Sequence, residues 1–389
     1  MNNVGKIFKE HTMQIVLVLV VIIFSITTKG TILSANNFEA LITQNAYVFI
    51  LATGMFMCML IKGNIDLSVG SVVCIVDAIG ASLMAIAGVP VPIAMLVMLV
   101  IGCLIGSLLG WLIAYLNIPP WIATLGGYLA FRGAGTQIVT SVSTSASVPV
   151  NDVKGFVNLF NSHIPNIGNG DFNITSIIIG VVCCLILFIT QFRSRATKLK
   201  KGYAADSFVA VLVRCVILSA VIMLFAFKYA QAKGIPMVLV WVVVILLVYD
   251  FITSKTTLGR YFYAMGGNME ATRLSGIDTK KILFLAYFNM QFLTVIAGWT
   301  ALAKITANST IGTNYEMDAI SACIVGGVSA YGGSGSVFGM VVGATLIGVI
   351  NLGMSIMSID PNWQKVIKGL VLLAAVVFEI VNNKDKNKE

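Results

Sequence analysis

TTLGRYFYAMGGNMEATRLSGIDTKK, Thr256–Lys281, is a polar, glycine-marked and basic island between two apolar runs at 236–253 and 283–305. Runs of about 20 apolar residues match the thickness of a bilayer when helical. The island keeps a full mixture of residue types, so it reads as a short folded element between two spans and not as a flexible linker. Gly266-Gly267 is expected to break any helix entering from Leu258, because consecutive glycines are poor helix formers. Asn268 is a favoured N-cap residue, and Gly276, eight positions later, is a favoured residue just past a helix C-terminus. Met269–Ser275 is therefore expected to make about two turns. Glu270 and Arg273 stand at the dipole ends that suit them. A helix that short is not stable alone in water and needs something to pack against. Its own loop and the lipid headgroups are one such surface, and another protein is the other.

Composition extends this reading to the whole chain. Hydrophobic residues make up 58% and charged residues 11% of the 389, with a mean hydropathy of +0.94. A soluble domain carries about 25% charged residues, so the chain lacks the polar surface of a water-facing globule. The expected class is an all-α polytopic membrane protein of about ten to twelve spans. Candidate spans lie at 13–28, 44–61, 67–87, 91–116, 120–139, 174–192, 209–229, 236–253, 283–305, 317–331, 337–357 and 365–381, with broken or re-entrant segments allowed among them. The basic start and apolar run of the first thirty residues resemble a signal peptide, but no small-x-small cleavage site lies at the right place and more spans follow. A retained first span is expected.

The net charge of +9 does not indicate a nucleic-acid partner, because no basic stripe with interleaved aromatics occurs on a soluble segment. The basic residues collect instead in four breaks: Lys6 and Lys9; Arg193, Arg195, Lys198, Lys200 and Lys201; Lys255, Arg260, Arg273, Lys280 and Lys281; and Lys384, Lys386 and Lys388. Placing all four on the cytoplasmic side requires even numbers of crossings between them, and the spans supply six, two and four. Both termini and the loop 254–282 are then cytoplasmic, the tail 382–389 included, and the loop 140–173 is extracytoplasmic.

A weak internal repeat relates VCIVDAIGAS (73–82) to ACIVGGVSAY (322–331), each followed by a glycine ladder: Gly102, Gly106, Gly110 and Gly335, Gly339, Gly343. Small residues every four positions let helices approach closely in lipid. The two segments run in opposite directions by span count, which suggests an inverted repeat; chance matches among Gly, Ala, Val and Ile give the same pattern.

The chemistry-bearing residues are few. In GNIDLSVGS (Gly63–Ser71), Asn64, Asp66 and Ser68 interrupt an apolar hairpin; they either line a solute pathway or cap the next helix. Asp77 lies mid-span and Arg132 sits in ATLGGYLAFRGAG. They form an ion pair or serve separately at a cavity or interface. Glu316 and Asp318 suit the dipole of the helix they begin. The seven cysteines fall in apolar runs without a C-x-x-C pair and read as small core residues. His11 and His163 read as solvated loop residues. No metal site and no cofactor is expected. GGVSAYGGSGS (326–336) lacks the G-K-[ST] of a phosphate loop, and no hydrolase motif is present, so catalytic residues are not expected.

Four stretches, GNIDLSVGS, IPPWIATLGG with Arg132-Gly133, TTLGRYFYAMGGNMEATRLSGI and YEMDAISACIVGGVSAYGGSGSVFG, together resemble the permease subunits of bacterial ATP-binding-cassette (ABC) sugar importers of the ribose, xylose and multiple-monosaccharide branch. The resemblance runs from about residue 50 to 380 and implies a type II ABC importer fold. It implies a transport subunit that is no enzyme itself, set in the cytoplasmic membrane. A second permease copy, an ABC ATPase subunit and an extracytoplasmic sugar-binding protein would be its partners. The GGNMEATRLSGI-like stretch would be the coupling helix docking on the ATPase, carried by Gly266, Gly267, Asn268, Glu270, Ala271, Arg273, Ser275 and Gly276. Thr272 departs from the small residue usual there. The region 193–235 resembles the insertion of the longer xylose and multiple-monosaccharide members, which points to a pentose or several aldoses. An ion-coupled secondary transporter with Asp66 and Asp77 as ion sites is the competing expectation, and a membrane protein that moves no solute is a third.

Overall fold

The computed structural model describes residues 12–204 and 206–386. Lys6, Lys9 and His11 lie outside the described residues, as does the end of the basic tail, Lys388 included. The chain is almost entirely helical: α1 Thr12–Thr27, α2 Ala35–Leu60, α3 Val69–Ala81 with a π-helical turn Ser82–Ile86, α4 Val91–Ala114, α5 Pro120–Val142, α6 Lys154–Asn161, α7 Ile174–Lys200 and α8 Phe208–Gln231. There follow α9 Met237–Lys255, α10 Thr257–Gly267, α11 Met269–Leu274, α12 Thr279–Leu302, α13 Tyr315–Val325, α14 Val337–Ile356 and α15 Pro361–Lys386. Among the described residues, eight helices are long and apolar enough to cross a membrane. They are α2, α3 with its π turn, α4, α7, α8, α9, α12 and α14.

The remaining expected spans correspond to helices of a different kind. α1 is apolar but only 16 residues long. α5 has 23 residues, diluted by threonines, glycines and Arg132. α15 carries Lys365 and Lys368 in its first turns. The segment 317–331 contains only the 11 residues of α13, about 16 Å of helix, followed by an irregular loop. A piece that short cannot cross about 30 Å of hydrocarbon alone. Its glycine-rich continuation leaves the helix because Gly327, Gly332, Gly333 and Gly335 all adopt positive φ.

Two compact units form among the described residues: 12–32, 41–161 and 238–386 in the first, and Leu33–Ala40 with Ser162–Met237 in the second. In the first, α2 is the central element. Its 18-residue apolar window is 78% buried, where that of α4 is 39%. Met55, Phe56, Met59 and Leu60 of α2 share one core with Met290 and Leu293 of α12 and with Phe262 and Met265 of α10. The most extensive pairing joins α4 to α12, followed by α3 with α5. The first glycine ladder makes the α4–α12 contact. A Cβ at Gly106 would stand 3.0–3.2 Å from Gln291 and the Phe288 backbone, and one at Gly110 2.9 Å from the Phe284 carbonyl. The second ladder works differently. Gly339 and Gly343 lie against the C-terminal turn of α13, while Gly335 precedes the helix. The 140–161 part of the expected loop is also structured. Ser147–Val148 pairs with Ala307–Asn308, and α6 buries Phe156 and Phe160.

In the second unit, α7 and α8 form an antiparallel pair capped by Asn173, which accepts from the Ser176 amide, and by Ser207, which accepts from the Ala210 amide. Most of its apolar side chains, such as Leu185, Ile189, Val216 and Ile217, are exposed, as lipid-facing residues must be. His163, expected to be solvated, is instead largely buried, with Nε2 at 2.7 Å from Glu39 Oε1. His163 and the α8 residues Phe225, Lys228 and Tyr229 meet the segment 33–40, which no local sequence signal announces.

Candidate functional site

The island is built as two helices at an angle. α10 runs from Thr257 and ends at the glycine pair, as expected, with Gly267 its last residue. Gly266 also has a tertiary role. A Cβ on Gly266 would meet the Leu60 carbonyl and the Gly333 amide, two backbone groups that hydrogen-bond to each other at 2.9 Å. Tyr263 Oη donates to the Gly335 carbonyl at 3.0 Å, one turn earlier on α10. Three segments thus meet at Gly266: the end of α2, the loop before α14, and α10.

α11 follows with local capping. Asn268 Oδ1 accepts from the Ala271 amide at 3.0 Å, and Thr272, which is buried, donates from Oγ1 to the Asn268 carbonyl. Gly276 adopts φ +84°, so the chain turns off the helix at a residue without a Cβ. Arg273 pairs with Glu270 at 2.5 Å on the exposed face. The hydrogen bond from Arg273 holds the Glu270 carboxyl below its usual range. The pair is therefore fully formed at neutral pH and is lost only as pH falls through that depressed value. Gly267, Ala271 and Ser275 are exposed, as is Leu274, at 76% the most exposed apolar residue of the island. Leu274 is missing from the sequence reading, although an apolar residue three positions after Ala271 on a capped polar helix is a visible sign of a face made for contact.

The GNIDLSVGS stretch forms a buried polar knot. Asp66 Oδ1 accepts from the Ser68 amide at 2.9 Å and the Ser68 hydroxyl at 2.6 Å. Gln291 Nε2, from α12, donates to Asp66 Oδ2 at 2.7 Å and to Ser68 Oγ at 3.1 Å. Ser68 is the N-cap residue of α3 but makes no side-chain cap bond. Asn64 lies half-buried on the same loop. Asp77 and Arg132 are not brought together. Arg132 Nη1 donates to the carbonyls of Ile311 at 2.6 Å and Ser309 at 3.3 Å. Asp77 is fully buried, and neither carboxylate oxygen has a partner among the described residues. No group of His, Cys, Asp and Glu suited to a metal ion occurs among the described residues. The seven cysteines are free.

A polar cavity of about 440 Å³ opens elsewhere on the first unit, between α2, the end of α12, α13, α14 and α15. It lies roughly 20–25 Å along α2 from Leu60 at 1.5 Å per residue, well away from Gly266. Gln44, Asn45, Tyr47, Asn351, Gln364 and Lys368 are among its lining residues. Asp318, 2% exposed, ties its wall together. It accepts from Tyr47 Oη at 2.7 Å and from Lys368 Nζ at 2.9 Å. Tyr47 stacks on Tyr315 with centroids 3.7 Å apart. Apart from Asp318, these residues escaped the sequence reading. The signal available was the presence of Gln44, Asn45, Asn351 and Lys368 inside otherwise apolar helices.

Residues 37–376 match the family described as branched-chain amino acid transport system / permease component. The chain belongs to that permease family. Individual relatives match over nearly their full length. The permease is 33% identical over 385 residues to the xylose transport system permease protein XylH of Haemophilus influenzae, covering 96% of each chain. It is 33% identical to XylH of Escherichia coli K12, over 92% of this chain and 88% of the relative. The ribose import permease protein RbsC of Haemophilus influenzae is 30% identical over 97% and 95% of the two chains. No solved structure matches the permease.

Proposed function

We propose that this permease is the membrane-spanning subunit of an ATP-driven importer that translocates a monosaccharide, xylose or another pentose or aldose. An extracytoplasmic binding protein delivers the sugar, a separate ABC ATPase supplies the energy, and a second copy of the permease completes the pathway. The carrying observation is that relatives matched end to end are named for xylose or ribose transport, with XylH matching at 33% identity. In this reading both termini and the 254–282 loop are cytoplasmic. α11 is the docking element, and Arg273, Leu274 and Ser275 present its outward face. The Gly266 junction carries its movement to the ends of α2 and α14. Asn64, Asp66 and Ser68, in the loop between α2 and α3, and Asp77 and Arg132, on α3 and α5, are the pathway residues of this reading.

Co-purification with the ATPase and reconstitution with a sugar-binding protein test this reading. ATP-dependent uptake of xylose or ribose is expected. Transport by the lone chain in proteoliposomes, driven by a proton or sodium gradient, would overturn it in favour of a secondary transporter.

The coupling role has its own outcome. Arg273→Ala with Gly276→Val is expected to weaken ATPase docking by about 2 kcal/mol or more, roughly thirtyfold. Membrane insertion should be unaffected. Sugar-stimulated ATP hydrolysis at the normal rate in that variant would remove α11 from the coupling path. Asp66→Ala leaves Gln291 and Ser68 without their shared acceptor. It is expected to cost about 1–3 kcal/mol of stability and to lower the uptake rate. Unchanged uptake would reduce Asp66 to a dispensable loop tie.

A further inference from the structure

We infer that the cavity between α2, α12, α13, α14 and α15 is a recognition site on the permease itself for a neutral, polyhydroxylated monosaccharide. The inference rests on the sugar-importer reading and locates on this chain a step that the reading alone leaves to the binding protein. Three observations carry it. The volume of about 440 Å³ falls within the range of small-molecule sites, which combine apolar walls with a few convergent polar groups.

The second observation is an incomplete chain of amides. Asn45 Nδ2 donates to the Leu41 carbonyl at 3.0 Å, and Asn351 Nδ2 donates to Asn45 Oδ1 at 3.0 Å. Asn351 lines the cavity, and its Oδ1 is buried with no hydrogen-bond partner among the described residues. A buried acceptor left open is costly, and a rotation of the Asn351 amide toward the cavity would let a ligand hydroxyl supply the donor it lacks. Gln44 and Gln364 add neutral donors and acceptors on the same lining.

The third observation is charge. Two lysines line the cavity: the Lys368 ammonium is neutralised by Asp318, whose carboxylate also takes the Tyr47 hydroxyl, and Lys304 is exposed. The lining contains no carboxylate of its own. An amino acid would bring an ammonium group with no counter-charge to meet it, whereas sugar hydroxyls need only neutral partners. The stacked Tyr47–Tyr315 pair gives the wall a rigid aromatic surface, suited to the C–H face of a sugar ring.

Saturation-transfer NMR on the purified permease in nanodiscs, titrated with D-xylose and separately with L-leucine, tests the site. Xylose is expected to give transfer and leucine none. Asn351→Leu should weaken xylose binding roughly three- to tenfold, the loss of one neutral hydrogen bond. Thr43→Trp, which fills the cavity from a half-buried lining position, should abolish it. Absence of xylose transfer, equal transfer from leucine, or unchanged transfer in both variants overturns the site. Uptake by the full assembly separates the two levels. Normal xylose import by the Thr43→Trp assembly overturns the site and leaves the importer standing. Failure of the wild-type assembly to import any monosaccharide overturns the importer reading and the site with it.

Discussion

Gly266→Ala is expected to destabilise the permease by about 3 kcal/mol or more, whereas Gly267→Ala, one residue away, should be close to neutral. A methyl at Gly266 would overlap the Leu60 carbonyl and the Gly333 amide. Both are backbone groups, so no side chain can rotate away to accept it, and their 2.9 Å hydrogen bond must open. A Cβ at Gly267 meets nothing within 4 Å. Thermal unfolding of both variants in detergent separates them. The same midpoint for the two would mean that α10 does not meet α2 and the 326–336 loop in this way. The Gly266 variant should also uncouple ATP hydrolysis from uptake, because the junction joins α10 to both segments through backbone.

Lys368→Met is expected to cost about 3–5 kcal/mol, because it leaves a buried carboxylate without its cation. Asp318 is 2% exposed and has Lys368 at 2.9 Å and Tyr47 Oη at 2.7 Å. With the lysine gone, the tyrosine hydroxyl alone cannot compensate the charge. Lys368→Met combined with Asp318→Asn should recover most of the loss, since removing both charges removes the desolvation problem together with the pair. A double-mutant cycle on thermal unfolding measures the coupling. Additive effects of the two changes would show that α13 and α15 are not joined through this pair.

These two predictions rest on contacts that the sequence does not reveal. Asp318 reads from sequence as a residue suited to a helix dipole, and it does stand in the first turn of α13. Its partner is fifty positions away on α15. Asp77 and Arg132 invite pairing by sign, yet Arg132 is taken by the carbonyls of Ile311 and Ser309, because the loop before α13 brings them within reach first. Gly266 reads from local propensity as part of the pair that ends α10, and so it does. Its second role, as the point where two distant backbones approach, comes from close packing, which rewards the absence of a side chain. The capping of α11 was legible in full, since Asn268, Ala271 and Gly276 act on one another within eight residues.

The division follows the range of the forces involved. The sequence by itself determined that the chain is helical and built for lipid, where its eight long apolar helices lie, and how the short polar element between α9 and α12 begins and ends. Those outcomes depend on residue composition over about 20 residues and on hydrogen bonds within a turn or two. Tertiary structure alone decided that Gly266 is a backbone junction and that residues of five helices line one cavity. Each of these depends on which distant backbones approach within a few ångströms, and no local pattern encodes that approach.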